Sequence, residues 1–120
     1  MSRLPFVVWL ASTADRDFLD ILDWSAEHFG ADAANRYEAL IGEALIDLGD
    51  DPFRSGAKQH PELPQEMFLY PLAGSRGRAA GDRVKAPRHF LLYRIETGRV
   101  EVLRILQDSR DLAQHAPSAV

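Results

Sequence analysis

Three arginines and a histidine near the end of the chain could bind an anionic group and move a proton. Arg94 and Arg104 lie in an otherwise apolar stretch, Arg110 follows shortly after, and His115 lies five residues beyond it. Arginine binds carboxylates and phosphates through parallel N–H groups, and histidine exchanges a proton near neutral pH. Arg94, Arg104 and Arg110 are therefore candidate anchors for an acidic partner, and Arg94, Arg110 and His115 are candidate catalytic groups.

Carboxylates of the same chain offer these arginines a simpler role, which is to form ion pairs. Glu101 is close enough in sequence to pair with Arg94, and Asp108 and Asp111 flank Arg110. A protein that docks on RNA usually carries many positive charges, because phosphate contacts dominate its affinity. Here the net charge is −4 and the isoelectric point is about 5.5. Ion pairing is the favoured interpretation, and catalysis stays open as the alternative.

Two apolar runs, 89–95 and 100–106, must position Arg94 and Arg104, and they read as a β-hairpin with Gly98 in its turn. A two-residue loop of Thr97 and Gly98 sets the register of the opposed residues. The predicted pairs are Glu96 with Arg99, Ile95 with Val100, Arg94 with Glu101, Tyr93 with Val102, Leu92 with Leu103, and Phe90 with Ile105. Two complementary charge pairs and four apolar pairs favour this register over one shifted by a glycine bulge. Because both faces are apolar, we expect the hairpin at the centre of a sheet.

The preceding residues predict a strand, two helices and a further strand. The predicted elements are strand one over 6–10, helix one from an N-cap at Thr13 to Phe29, helix two from a cap at Asp32 to Leu48, and strand two over 67–72. Gly30 and Gly49 are placed as helix stops, and Pro71 indicates an edge strand. A glycine-rich loop begins at Ala73, within a basic insert over 73–86 whose role the sequence leaves open.

Apolar residues recur along both predicted helices at helical spacing. The stripes are Phe18, Ile21, Leu22, Ser25 and Phe29 in helix one, and Ala34, Tyr37, Ile41, Ala44 and Leu48, widened by Leu40 and Leu45, in helix two. The acidic residues of helix one read as a solvated face rather than a metal site. The fold class is therefore α+β: an N-terminal strand, then an antiparallel helical hairpin packed on an antiparallel sheet, as one domain over residues 1–120.

Composition excludes several classes of site. The chain has no cysteine, and its four histidines lack metal-ligand spacing, so each reads as a surface or satisfied histidine. We expect no cofactor and no metal, no membrane span, and a cytoplasmic location. Charge is uneven: residues 1–70 hold 5 basic and 13 acidic residues, whereas residues 71–120 hold 9 basic and 5 acidic ones. An acidic partner would be drawn to the second half.

The C-terminal half resembles the RelE/ParE toxins of bacterial type II toxin–antitoxin systems. Leu91–Glu96 matches the family's "LxYRxE" strand, Val100–Leu106 its "VxVLRIL" strand, and Ser109–Leu112 its "SRDL" segment. The strand and two helices of the N-terminal half match as well, so the resemblance covers most of the chain. Gln107 stands where the family often has histidine, and the insert over 73–86 is a second departure.

The resemblance is closest to the ParE branch. It implies a toxin that inhibits DNA gyrase without being an enzyme, is neutralised by a ParD-like antitoxin with an acidic amphipathic segment, and meets nucleic acid only indirectly. The alternatives are a RelE-like, ribosome-dependent mRNA endonuclease that uses Arg94, Arg110 and His115, and an inactive member that only binds its partner. The acidic net charge and Gln107 argue against the endonuclease.

Overall fold

The computed structural model describes residues 5–76 and 87–107. In chain order its elements are β1 (Val7–Leu10), α1 (Ser12–Phe29), α2 (Ala31–Asp50), β2 (Met67–Pro71), a short 3-10 helix (Leu72–Ser75), β3 (Phe90–Glu96) and β4 (Arg99–Leu106). The order of one strand, two helices and three further strands confirms the predicted α+β arrangement. Arg110, His115 and most of the basic insert lie outside the described residues.

The four strands form one sheet in the order β1-β4-β3-β2. The β3–β4 hairpin is central and β2 lies at an edge, as predicted. The sheet is antiparallel from β2 through β4, but β1 runs parallel to β4, so the whole sheet is mixed. A parallel neighbour requires a long crossover, and the helical hairpin of α1 and α2 provides part of that connection.

The hairpin has the predicted register at the four positions nearest its turn. These pairs are Glu96 with Arg99, Ile95 with Val100, Arg94 with Glu101, and Tyr93 with Val102. Gly98 has a φ of 71°, a conformation that costs glycine little and a side-chain-bearing residue more. The local turn chemistry and the two charge pairs therefore determine this end of the hairpin.

Deeper in the hairpin the predicted register is wrong. A β-bulge between Leu92 and Tyr93 shifts the pairing by one residue, and Leu103 is the extra residue on β4. Leu92 therefore faces Arg104 instead of Leu103, and Phe90 faces Leu106 instead of Ile105. A bulge of this kind bends the strand and re-aims the side chains that follow it.

Helix α1 begins before the predicted cap. Ala11 precedes its first turn, and no side chain caps it. Thr13 instead donates its hydroxyl to the Leu103 carbonyl of β4 at 2.7 Å. The predicted capping residue therefore binds the sheet rather than its own helix. At the other end α1 stops at Phe29, and the following Gly30 has a φ of 94°, as the glycine stop predicted.

Helix α2 follows Gly30 directly. Asp32 consequently lies in its first turn rather than at the cap position. The helix also continues through Gly49 to Asp50, so the predicted stop at Gly49 is wrong. Gly49 is buried, and its carbonyl accepts a hydrogen bond from the Phe6 N–H at 3.0 Å. This contact holds the last turn of α2 against the start of β1.

The core lies mainly between the helical hairpin and one face of the sheet. It comprises Ala14, Leu40, Ile41, Ala44, Leu48, Tyr70, Leu72, Leu91, Tyr93, Val100, Val102 and Ile105. A second apolar cluster comprises Leu63, Met67, Leu69, Leu92, Leu103 and Leu106. The predicted stripe of α2 is confirmed as core except at Ala34, which is half-buried and outside the cluster. In α1, Phe18 and Ile21 pack against the core and Ser25 is buried, whereas Leu22 is half-buried outside the cluster and Phe29 is exposed.

A buried polar network joins the end of α2 to the 3-10 helix. Asp47 accepts a hydrogen bond from the Ser75 hydroxyl at 2.5 Å and forms an ion pair with Arg54 at 3.1 Å. The Tyr70 hydroxyl lies 2.9 Å from that of Ser75. Buried polar groups need such partners, so the start of the predicted glycine-rich loop is held in place here: Leu72 and Ser75 are both buried.

Candidate functional site

Arg94 lies on β3 and is held by two carboxylates. Its Nη2 atom donates to Glu101 at 2.6 Å, and its Nε atom lies 3.3 Å from Glu96. The Nε contact is at ion-pair distance without hydrogen-bond geometry. The predicted pairing with Glu101 is therefore confirmed. The side chain is 34% exposed, so it still reaches the surface of the sheet.

Arg104 is bound to a residue that the sequence interpretation placed on a solvated face. Its Nε and Nη2 atoms donate to the two carboxylate oxygens of Asp17 on α1, at 2.7 and 3.0 Å. This is a bidentate pair, the arrangement that suits a guanidinium best. The hydrogen bond that Arg104 donates to Asp17 raises the pKa of Arg104, so the arginine stays charged at any physiological pH.

Asp17 and Thr13 together cover the exposed edge of β4. β1 pairs with β4 only as far as Val102, which leaves later backbone groups of β4 without a neighbouring strand on that side. Thr13 donates to the Leu103 carbonyl, and Asp17 accepts from the Ile105 N–H at 2.9 Å. Side chains of α1 thus replace the missing strand. The sequence signal for this role is weak. It is the spacing of four residues between Thr13 and Asp17, which places two hydrogen-bonding side chains on the same side of α1.

His89, just before β3, is paired with Tyr37 of α2. The tyrosine hydroxyl lies 2.5 Å from the histidine Nδ1 atom. Burial lowers the pKa of His89, and the nearby charge of Asp17 opposes part of this shift. Burial also raises the pKa of Tyr37. The prediction of a satisfied histidine is confirmed for His89.

Among the described residues, no strand pairs with the outer edge of β1. Val7 donates its N–H to the Gly98 carbonyl in the hairpin turn, and Ala11 donates its N–H to the Val102 carbonyl of β4. Because alternate residues of a parallel strand turn their backbone groups to opposite sides, Val8 and Leu10 direct theirs away from β4. Beside this edge the Arg99 guanidinium lies over the ring of Trp9, 5.1 Å from its centroid, and its Nη2 atom donates to Glu96 at 2.9 Å. An exposed aromatic ring, an arginine and outward-facing strand groups therefore occur together.

Of the predicted cationic cluster, Arg94 and Arg104 lie among the described residues. Arg94 and Arg104 lie on adjacent strands, since Arg104 pairs with Leu92, two residues before Arg94, and each arginine is ion-paired. Within residues 5–76 and 87–107, no group of histidine and acidic side chains could hold a metal ion. Neither of the long helices in that part of the chain has an apolar stretch able to cross a membrane.

Comparison with known proteins identifies the family. The sequence profile of the ParE toxin of the type II toxin-antitoxin system parDE matches residues 8–112. Among solved structures, a chain from the chromosomal ParDE TA system of P. aeruginosa superposes with a TM-score of 0.65 at 12% identity, over 88% of this chain and 98% of that one. Comparison with curated protein sequences gives no significant match.

At 12% identity the structural likeness shows a shared fold, whereas the sequence profile covers most of the chain and both arginine-bearing strands. The β3–β4 hairpin that carries the "LxYRxE" and "VxVLRIL" stretches has the strand pairing that the resemblance implied. The chain therefore belongs to the ParE toxin family, as the toxin of a type II toxin–antitoxin system whose partner is a cognate antitoxin.

Proposed function

We propose that this protein inhibits DNA gyrase and that a ParD-like antitoxin neutralises it with an acidic, amphipathic segment. The observation that carries the proposal is the match to the ParE toxin family over residues 8–112. Both partners of such a toxin are reached in the cytoplasm, which is the location we propose. The protein then meets nucleic acid only through the gyrase–DNA complex.

The antitoxin segment is proposed to add a strand to the outer edge of β1. The opposite edge of the sheet is less suitable, because Lys58 already exchanges two backbone hydrogen bonds with Leu69 of β2 and Pro71 has no N–H to donate. On β1, Val8 and Leu10 offer outward backbone groups. A disordered segment that pairs with them folds as it binds, as in other cases of strand addition.

Charge supports the acidic character of that segment. Arg99 and Trp9 flank the β1 edge, and Arg94, Arg104 and Arg110 remain the proposed anchors for antitoxin carboxylates. Arg94 and Arg104 already hold carboxylates of this chain, so an antitoxin would add to these pairs or exchange with them. Association should slow as salt rises, because screening weakens electrostatic steering.

The alternative is ribosome-dependent mRNA cleavage with Arg94, Arg110 and His115 as catalytic groups. Stabilising a phosphorane requires cations whose charge is available to the reacting phosphate. The charge of Arg94 is already compensated by Glu101 and Glu96. A catalytic Arg94 would first have to exchange these carboxylates for the reacting phosphate.

Two assays on purified protein separate these functions. In a gyrase supercoiling assay, we expect the toxin to inhibit the reaction and equimolar antitoxin to restore it. In a primer-extension assay on translating ribosomes, we expect no new cuts in the mRNA. New cuts in the ribosomal A site that disappear in Arg110→Ala, with gyrase unaffected, would replace the proposal with the endonuclease.

A binding titration tests the position of the antitoxin. Arg99→Glu places a negative charge beside Trp9 on the β1 edge and should weaken the complex about tenfold. Arg16→Glu is the matched control, because Arg16 is an exposed arginine on α1. Equal affinities for the two variants would show that the antitoxin binds elsewhere.

A further inference from the structure

The tip of the helical hairpin extends beyond the sheet. It comprises the last turns of α1, Gly30 and the first turns of α2. Residues 26–32 are all exposed, and α2 has no buried residue before Leu40. The α1 side chains that contact β4 or pack against the core, such as Thr13, Asp17 and Ile21, all precede Trp24. The fold itself therefore does not require apolar side chains at the tip.

Three rings nevertheless form an exposed cluster there. Trp24 and His28 are stacked with their centroids 4.0 Å apart, and Phe29 meets Trp24 edge-on at 5.5 Å. Trp24 is 53% exposed and Phe29 69%. The His28 Nδ1 atom lies 2.8 Å from the Trp24 carbonyl, which holds the stack to the helix. Large rings that are already ordered lose little entropy on binding, and such side chains dominate protein interfaces.

Acidic side chains surround this aromatic tip. Between positions 17 and 35 the chain has five acidic residues and no lysine or arginine. Asp17 is paired with Arg104, whereas Asp20, Asp23, Glu27 and Asp32 are exposed. Asp20, Trp24 and Glu27 share one helix face, because they are four and three residues apart. Apolar rings with a negative rim are complementary to an apolar cleft with a positive rim.

The charge also excludes other occupants. Nucleic acid would be repelled by its phosphates. A second copy would bring two acidic rims together in a two-fold contact, and an acidic antitoxin segment would meet the same repulsion. We propose that the aromatic tip docks on a protein partner that surrounds an apolar cleft with lysine and arginine side chains.

This partner is distinct from the antitoxin in position. α1 has 18 residues and is about 27 Å long, so the tip lies far from the end of β1, where α1 begins. This inference rests on the proposed function. The toxin binds its antitoxin along the β1 edge and contacts its target through the aromatic tip.

Two surface variants and a control test the proposal. Trp24→Ser with Phe29→Ser removes the rings, and Asp20→Lys with Glu27→Lys reverses the rim. The control is Ile46→Ser on α2, where the side chain is 51% exposed and outside the tip. All are measured for thermal stability, antitoxin affinity, inhibition of purified DNA gyrase and growth arrest on induction without antitoxin.

We expect both tip variants to lose at least about tenfold in gyrase inhibition and to stop arresting growth, with antitoxin affinity and melting temperature unchanged. The control should stay within about twofold of wild type. Tip variants as potent as wild type would overturn the inference, as would a tip variant that binds antitoxin tenfold more weakly. If wild type arrests growth without inhibiting gyrase, the gyrase proposal fails, and the growth assay alone decides the role of the tip. A wild-type protein with neither activity overturns both.

Discussion

The contact between Asp17 and Arg104 should be a principal tie between the helical hairpin and the sheet. The Asp17 carboxylate accepts two hydrogen bonds from Arg104 and one from the Ile105 N–H, and Asp17→Asn removes its negative charge. A hydrogen bond to a charged group contributes about 1.5–3 kcal/mol. The two side chains are 25% and 15% exposed, so solvent screens part of this energy, and asparagine keeps one acceptor. We expect a loss of about 2–3 kcal/mol.

This loss can be measured by chemical denaturation and by the melting temperature. For a chain of this size it corresponds to a decrease of about 6–15 °C. Asp20→Asn is the matched control on the exposed face of the same helix and should change stability by less than about 0.5 kcal/mol. A double-mutant cycle with Arg104→Gln should give a coupling of about 1–2 kcal/mol. Equal melting temperatures for Asp17→Asn and Asp20→Asn would refute the reasoning.

Three further predictions concern the core, a titrating group and a close contact. Ile41→Asp should abolish the cooperative thermal transition seen by circular dichroism, because the side chain is fully buried and an unpaired buried carboxylate costs several kcal/mol. Stability should fall as pH drops below 6.5, since the folded state lowers the pKa of His89 and the unfolded chain then binds the proton more readily; denaturant titrations should show a weaker fall in His89→Gln. Gly74→Ala should destabilise the fold, because the new Cβ would lie 2.6 Å from the Tyr70 hydroxyl oxygen. Gly42→Ala has open space and a helical backbone, so it should stabilise the fold by about 0.5–1 kcal/mol. Equal melting temperatures for the two variants would contradict this prediction.

Sequence alone determined the features that depend on neighbouring residues. The period of apolar positions predicted both helices, apolar and β-branched runs predicted the four strands, and most of the predicted stripe of α2 lies in the core. At the hairpin turn, opposed charges and a glycine specified four pairs correctly. These features are readable because turn geometry and cross-strand pairs act over a few residues.

Tertiary structure decided the features that depend on distant parts of the chain. Thr13 was predicted as a helix cap and Asp17 as part of a solvated face. In the structure both bind the edge of β4: Thr13 contacts Leu103, 90 residues away, and Asp17 contacts Ile105, 88 residues away. The bulge that displaces Leu103 lies beside this contact. Arg104 was predicted to bind an antitoxin carboxylate, and in the structure it binds Asp17 of α1. No periodicity encodes which helix side chain will meet which strand edge, because that depends on how the helical hairpin packs on the sheet. The same packing left the aromatic tip in solvent, although Phe29 continues the apolar stripe of α1.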